Sequence, residues 1–388
     1  MVVVVVVIVV VVVLVVIAVV VVIVVVVIVV VVVVIVVVVV VVIVVVVVVV
    51  IVVCSSSSSS KSSKSSHECE IFSSREHERA ESHHNYKNCK KNPGHENFIS
   101  AQDFEDNYLP RLQSDIQREK LRSRIDLTVR LRVGCTSSER PDDDDMAKFR
   151  GTDKSRLGTG FVYAVKAKYN KPCFCPNCNG QVARKQWSCT IWTANHVVYN
   201  TEEAKETKID FFYNDNSCRR DGRMKSVSGM AVVKSEPDKD FCWMSSVTCD
   251  EDLGERIGEL DWQCGELNRQ DITELGLPLS GDNSCDLILI VSHPHGQPKK
   301  VTVGEVRCRD GVKGRLEYNT PTCPGSSGAP VFGYDRSQFF IWSPVHTGSF
   351  GKTSTENTHK LNEFQRVFKK MKGHKTEQEQ INYCFVSF

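Results

Sequence analysis

Charged and polar side chains are absent from the first 53 residues, which are nearly all valine. The tract has no basic leader and no small-residue cleavage site, which excludes a secretory signal peptide. As a helix it would reach about 80 Å, against a hydrocarbon core of about 30 Å, and no Lys, Arg, Trp or Tyr marks an interface within it. An ordinary membrane span is therefore excluded too. Valine's branched β-carbon favours strand, so such a tract should aggregate in water. We read residues 1–53 as translated low-complexity sequence or a misplaced gene start, with a membrane anchor as the functional alternative. The chain also lacks a net field: a formal charge of +2 in 388 residues gives no bulk basic surface for nucleic acid and no acidic tail. Without the tract, apolar residues are sparse by globular standards. A core fits a segment of about 250 residues, and not everything after the tract.

Cysteine is plentiful, at sixteen residues. In an oxidising compartment that count means disulfides; inside a cell it means zinc or buried thiols. The N-terminus leaves the compartment undetermined, and membrane association is expected only if the tract functions as an anchor. Residues 54–100 are rich in Ser, Lys, Glu and His and should form a disordered linker. His67, Cys69, His77, His83, His84 and Cys89 fit no tight metal spacing there. Residues 101–124 read as a charged helical lead-in broken at Pro110. Ile125, Leu127, Val129, Leu131 and Val133 then alternate with polar residues, as in a half-buried strand. Asp142 to Asp145 read as a solvated turn.

Three segments carry the chemistry. Leu157-Gly158-Thr159-Gly160-Phe161-Val162 is followed by Thr193-Ala194-Asn195-His196-Val197-Val198. Asp238-Lys239-Asp240-Phe241-Cys242-Trp243-Met244 comes next. Thr322-Cys323-Pro324-Gly325-Ser326-Ser327-Gly328-Ala329-Pro330-Val331 is the third. Singly, each is weak: a packed histidine, a turn aspartate, a glycine loop. Together, over residues 125–350, they resemble the trypsin-like, chymotrypsin-fold serine peptidases. The His-Val-Val and His293-Pro294-His295-Gly296 segments look closer to HtrA-like members than to digestive trypsins.

The resemblance implies an all-β double barrel with a C-terminal helix. It implies a triad of His196, Asp240 and Ser327, with Asp238 the runner-up for the acid. A serine hydroxyl is a poor nucleophile, so a base must take its proton; His196 suits that task, with Asp240 fixing its tautomer. The backbone N–H groups of Gly325 and Ser327 would form the oxyanion hole. Digestive enzymes carry an acid just before the nucleophile and start at Ile-Val-Gly-Gly. Here Ser326 holds that position and no such start exists, so zymogen cleavage is not expected. Pro321 stands where trypsins place an acid for basic substrates. Thr322, His346 and Gly348 instead resemble the substrate pocket of glutamyl endopeptidases and picornaviral chymotrypsin-like proteases, which implies Glu or Gln at P1, the residue before the cut bond.

Cys173, Cys175 and Cys178, with Cys189 on the returning strand, have the spacing of a structural zinc knuckle. Disulfides or free thiols are the alternative, and catalysis itself requires no cofactor. Leu361, Phe364, Val367, Phe368 and Met371 fall on one helical face. The organisation expected is thus a peptidase domain over 125–375 and a tail over 376–388. Its partners would be protein or peptide substrates, with no nucleic acid. A catalytically silent, protein-binding version of the fold is the competing reading. A zinc knuckle acting on nucleic acid or protein is a third.

Overall fold

Leu127, Val129, Leu131 and Val133 alternate as the sequence predicts, and all four are buried in one core. The computed structural model describes residues 66–111, 115–275, 287–310, 314–335, 338–343, 345–353 and 379–385. The valine tract and the stripe from Leu361 to Met371 lie outside them. The described chain opens with β1 (Ser66–His67), β2 (Glu70–Phe72), α1 (Glu78–Lys87), β3 (Ile99–Ser100), α2 (Ala101–Asn107) and α3 (Asp115–Asp126). The first half of the fold holds β4 (Thr128–Val133), β5 (Ser155–Pro172), β6 (Ala183–Ala194), α4 (Thr201–Lys205), β7 (Thr207–Phe211), β8 (Lys225–Glu236), β9 (Phe241–Thr248) and α5 (Glu251–Leu275). The second holds β10 (Leu287–Ser292), β11 (Lys300–Asp310), β12 (Arg315–Tyr318), β13 (Val331–Asp335), β14 (Gln338–Ser343), β15 (His346–Thr353) and β16 (Glu379–Phe385).

The protein is mostly β, in two antiparallel sheets with few helices. In the first sheet β5, β4, β7, β8, β9 and β6 follow one another, and β6 pairs back onto β5. That ring of six strands encloses Phe161, Ile191, Ile209, Phe211 and Met244, and Leu253 and Ile257 of α5 pack against them. The second sheet runs β1-β15-β16-β12-β11-β10-β13-β14, with β3 added at β11. It has nine strands, among them two from the N-terminal segment, β1 and β3.

Several expectations need correction. Residues 66–100 are not a disordered linker among the described residues: they contribute three strands and a helix. Composition argues that this segment cannot build its own core. It docks its few apolar residues, such as Phe72 and Phe98, onto surfaces that the barrels supply. The helical lead-in is present, but Ile125 belongs to α3. It packs with Ala101, Phe104, Leu109 and Leu121 against Leu289, Val291, Val301 and Phe332 of the second sheet. Residues 379–385 of the expected tail form β16, paired to β12 and β15. The four aspartates are not all free in solvent, since Asp144 bonds the buried Arg140 at 2.8 Å.

Candidate active site

β6 ends at Ala194, and the turn after it carries His196. Two buried arginines fix that turn: Arg140 Nη2 donates to the His196 carbonyl at 3.1 Å, and Arg156 Nε to the Val197 carbonyl at 2.8 Å. Glu203, also buried, pairs with both guanidinium groups. Asp240 adopts φ 48, the left-handed region, at the mouth of β9. The twist brings its carboxylate onto His196. Oδ1 accepts from the His196 backbone N–H at 2.9 Å, and Oδ2 lies 2.8 Å from Nδ1. Burial pushes the Asp240 carboxyl up, but the attraction and hydrogen bonds of His196 outweigh it and hold the group below its ordinary value. Asp238, the runner-up, lies in the preceding 3₁₀ turn, and no buried residue is found in that turn. With Nδ1 engaged as donor, Nε2 is left as an acceptor, and it is buried without a partner among the described residues.

Ser327 lies on the turn between β12 and β13. Thr159, from the Gly-Thr-Gly of β5, pins that turn: its N–H donates to the Ser327 carbonyl at 2.8 Å and its hydroxyl to the Gly325 carbonyl at 2.8 Å. Gly325 has φ +93, and a β-carbon there would meet the His293 carbonyl at 2.7 Å. No other residue fits, and the conformation turns the Gly325 N–H inward. Ser326 is held by Ser292, the hydroxyl oxygens 3.1 Å apart.

The cleft between the barrels holds the chain's own N-terminal segment. β1 pairs with β15, Ser66 opposite Ser349 and His67 opposite Gly348. β2 pairs with β5, Glu70 opposite Leu157. Between them, the Glu68 carbonyl accepts from Gly325 N–H at 2.6 Å, and the Glu68 N–H donates to Ser327 Oγ at 3.1 Å. Ser327 Oγ donates in turn to the Thr347 carbonyl at 3.3 Å. The His67 ring stacks on His196 at 4.2 Å. Its pKa is pushed down to about 4, first by the charge of His196 and then by burial.

The Glu68 side chain enters the pocket predicted around Thr322 and His346. His346 Nε2 lies 2.9 Å from one carboxylate oxygen, and Lys91 Nζ pairs with the other. His346 Nδ1 lies 2.7 Å from the Tyr318 hydroxyl. Burial holds Tyr318 protonated, far above its usual range, and holds His346 neutral, with Lys91 adding to the second effect. The phenol therefore donates to Nδ1, and Nε2–H donates to Glu68. Thr322 Oγ1 accepts from Lys91 Nζ at 3.3 Å and donates to Asn382 Oδ1 at 2.9 Å, so it supports the lysine rather than the carboxylate.

Residues 158–339 match the protein family described as "Trypsin-like peptidase domain". Over those residues the chain is similar to trypsin-like peptidases. The solved serine endoprotease from Yersinia pestis is similar to this chain at 12% identity and a TM-score of 0.32, over 61% of this chain and 58% of that one. The chain thus spans less than two thirds of that structure's length. No curated protein matches it.

Two groups of metal-ligating side chains gather outside the His196–Asp240 pair. Cys173, Cys175 and Cys178 gather with Cys249, all four sulfurs within 4.8 Å of one another. The expected fourth member, Cys189, is elsewhere. It packs in the first barrel core, and burial pushes its thiol up to about 12. Strand alternation aims it inward, whereas β9, paired to β6 through Thr248, delivers Cys249 to the base of the knuckle. The second group is Cys89, His95, His295 and Cys323. Sequence reasoning missed Lys91, Cys249 and this group. Their partners lie far along the chain, and only the β6–β9 register, Trp187 opposite Thr248, could have pointed to Cys249. No described helix is long and apolar enough to cross a membrane.

Proposed function

We propose that this protein is a serine endopeptidase that cuts protein or peptide substrates after glutamate through an acyl-enzyme. One observation carries the reading: a peptide lies across the cleft with a glutamate carboxylate between His346 and Lys91 and its carbonyl on Gly325 N–H. In the mechanism Ser327 Oγ attacks the substrate carbonyl and gives its proton to His196 Nε2. Asp240 stabilises the imidazolium. The oxyanion receives the Gly325 N–H, with the Ser327 N–H as its proposed second donor. His196 then protonates the leaving amine, and water hydrolyses the ester by the same route. A neutral histidine donor serves Glu and Gln alike, and the Lys91 cation favours Glu. Fluorophosphonate labelling that is lost in Ser327→Ala, with peptide turnover highest after Glu, is the expected result. Turnover after aromatic or basic residues would overturn the specificity.

We further propose that Cys173, Cys175, Cys178 and Cys249 hold a structural zinc. Cys249 lies 3.6 Å from Cys175 and 3.7 Å from Cys178, sulfur to sulfur. Tetrahedral zinc with bonds of about 2.3 Å sets its sulfurs about 3.8 Å apart. Four thiolates leave no position for a catalytic water. Zinc in the purified protein that falls in Cys249→Ser tests the assignment.

A further inference from the structure

We infer that the Glu68–Cys69 peptide bond is the domain's own first substrate, cut in cis. This rests on the peptidase reading above. The segment has the features of a productive complex rather than of casual packing. Its backbone pairs with the second sheet before the bond, through Ser66 and His67, and with the first barrel after it, through Glu70 to Phe72. Glu68 alone enters the polar pocket, at 3% exposure, and its carbonyl takes the Gly325 N–H. The downstream side is anchored too. Glu70 bonds His295 at 2.5 Å and Asn85 at 2.8 Å, and the Cys69 thiol donates to the Leu157 carbonyl at 3.3 Å.

The step balances with groups already in place. Ser327 Oγ turns from the Thr347 carbonyl towards His196 Nε2, which is an acceptor without a partner. The oxygen bonds to the Glu68 carbonyl carbon, and its proton moves to Nε2. The Glu68–Cys69 C–N bond breaks as that proton passes to the Cys69 amine. Water, deprotonated by His196, releases Glu68 as a carboxylate and restores the serine. Residues 1–68, the valine tract included, separate from the domain, and the cleft opens to other substrates. On this reading a cut is needed, unlike the expectation from sequence. It acts by vacating the cleft and not by creating a terminus to pair beside Ser327, where Ser326 has no charge to offer.

Intact mass and N-terminal sequencing of the full chain test this. The expected outcome is a terminus at Cys69 in the wild type and an intact chain in Ser327→Ala and Glu68→Lys, with wild type failing to cut added Ser327→Ala. Wild type that stays whole, while Glu68→Lys labels with fluorophosphonate at Ser327, overturns the cis cut and leaves the peptidase reading standing. If a chain starting at Cys69, with the cleft vacated, is also unlabelled, the peptidase reading falls as well.

A separate observation carries a second site. We propose that Cys89, His95, His295 and Cys323 bind a second structural zinc, which clamps the N-terminal segment to the nucleophile turn. All four residues are buried and their ligand atoms lie within 4.8 Å of one another. Cys89 and Cys323 are 3.6 Å apart at sulfur, and His95 Nε2 is 3.4 Å from Cys323 Sγ. A disulfide would need about 2.05 Å and no imidazoles. A tetrahedral zinc would place two sulfurs about 3.8 Å apart and a sulfur and a ring nitrogen about 3.6 Å apart. Elemental analysis should find two zinc ions per chain, falling to one in His95→Ala and in Cys323→Ser. One zinc in the wild type, or a mass two hydrogens light from a Cys89–Cys323 disulfide, overturns it.

Discussion

His346 is neutral and its two ring nitrogens have fixed roles, so the pocket recognises an acceptor without itself supplying charge. Charge comes from Lys91 of the N-terminal segment, and burial pulls its ammonium down to about 7. Lys91→Met should lower kcat/KM for Glu substrates by about 10–100-fold, the worth of a hydrogen bond to a charged group. Gln substrates should lose much less, and paired peptides measure the difference. Asp240→Asn should leave the fold intact and cut kcat by about 10⁴-fold, by presenting the wrong histidine tautomer. Gly325→Ala should abolish labelling, because the strained residue must move the very N–H that binds the carbonyl. The His196–Asp240 contact and the Ser327 turn were legible because each sits in a short motif whose neighbours do local work: Thr159 pins the serine turn, and glycine is forced at position 325. Lys91 was not legible, since nothing near it in sequence reports that the fold brings it to His346.

At the scale of elements, buried ion pairs align the parts that carry the site. Asp210 of β7 takes Arg130 and Arg132 of β4, and Arg130 Nη1 also donates to the Gly296 carbonyl at 2.9 Å. That chain joins the first barrel to the loop supporting Gly325. Burial pushes the Asp210 carboxyl up, but the two arginines outweigh it and hold it far below its ordinary value. Its stabilisation is complete above the unfolded carboxylate range, near pH 3.9. It is lost as pH falls towards the lower folded value, because the unfolded chain takes up the proton first. Asp210→Asn should destabilise the protein by about 3–5 kcal/mol, by leaving buried guanidinium charge unmatched. The acid limb of its stability profile should flatten. Urea unfolding at several pH values measures both. Alternation marked β4 in the sequence, yet it ran one residue pair too far: Ile125 continues the pattern but belongs to α3, where helical packing buries it just as well.

At the scale of the molecule, the two-sheet fold is not closed without residues 66–111. Composition alone set them aside, since it weighs what a segment can bury by itself and not what it can cover. A chain starting near residue 120 would expose Leu289, Val291, Val301 and Phe332 and lose Lys91. It should aggregate or melt well below a chain starting at residue 66, as thermal unfolding of the two would show.

Because β1 and β2 belong to the same chain as Ser327, the nucleophile meets its first bond at a fixed local concentration. Dilution, crowding or the abundance of other substrates would leave the rate of that cut unchanged. Every copy would carry a clock that starts when it folds and runs once.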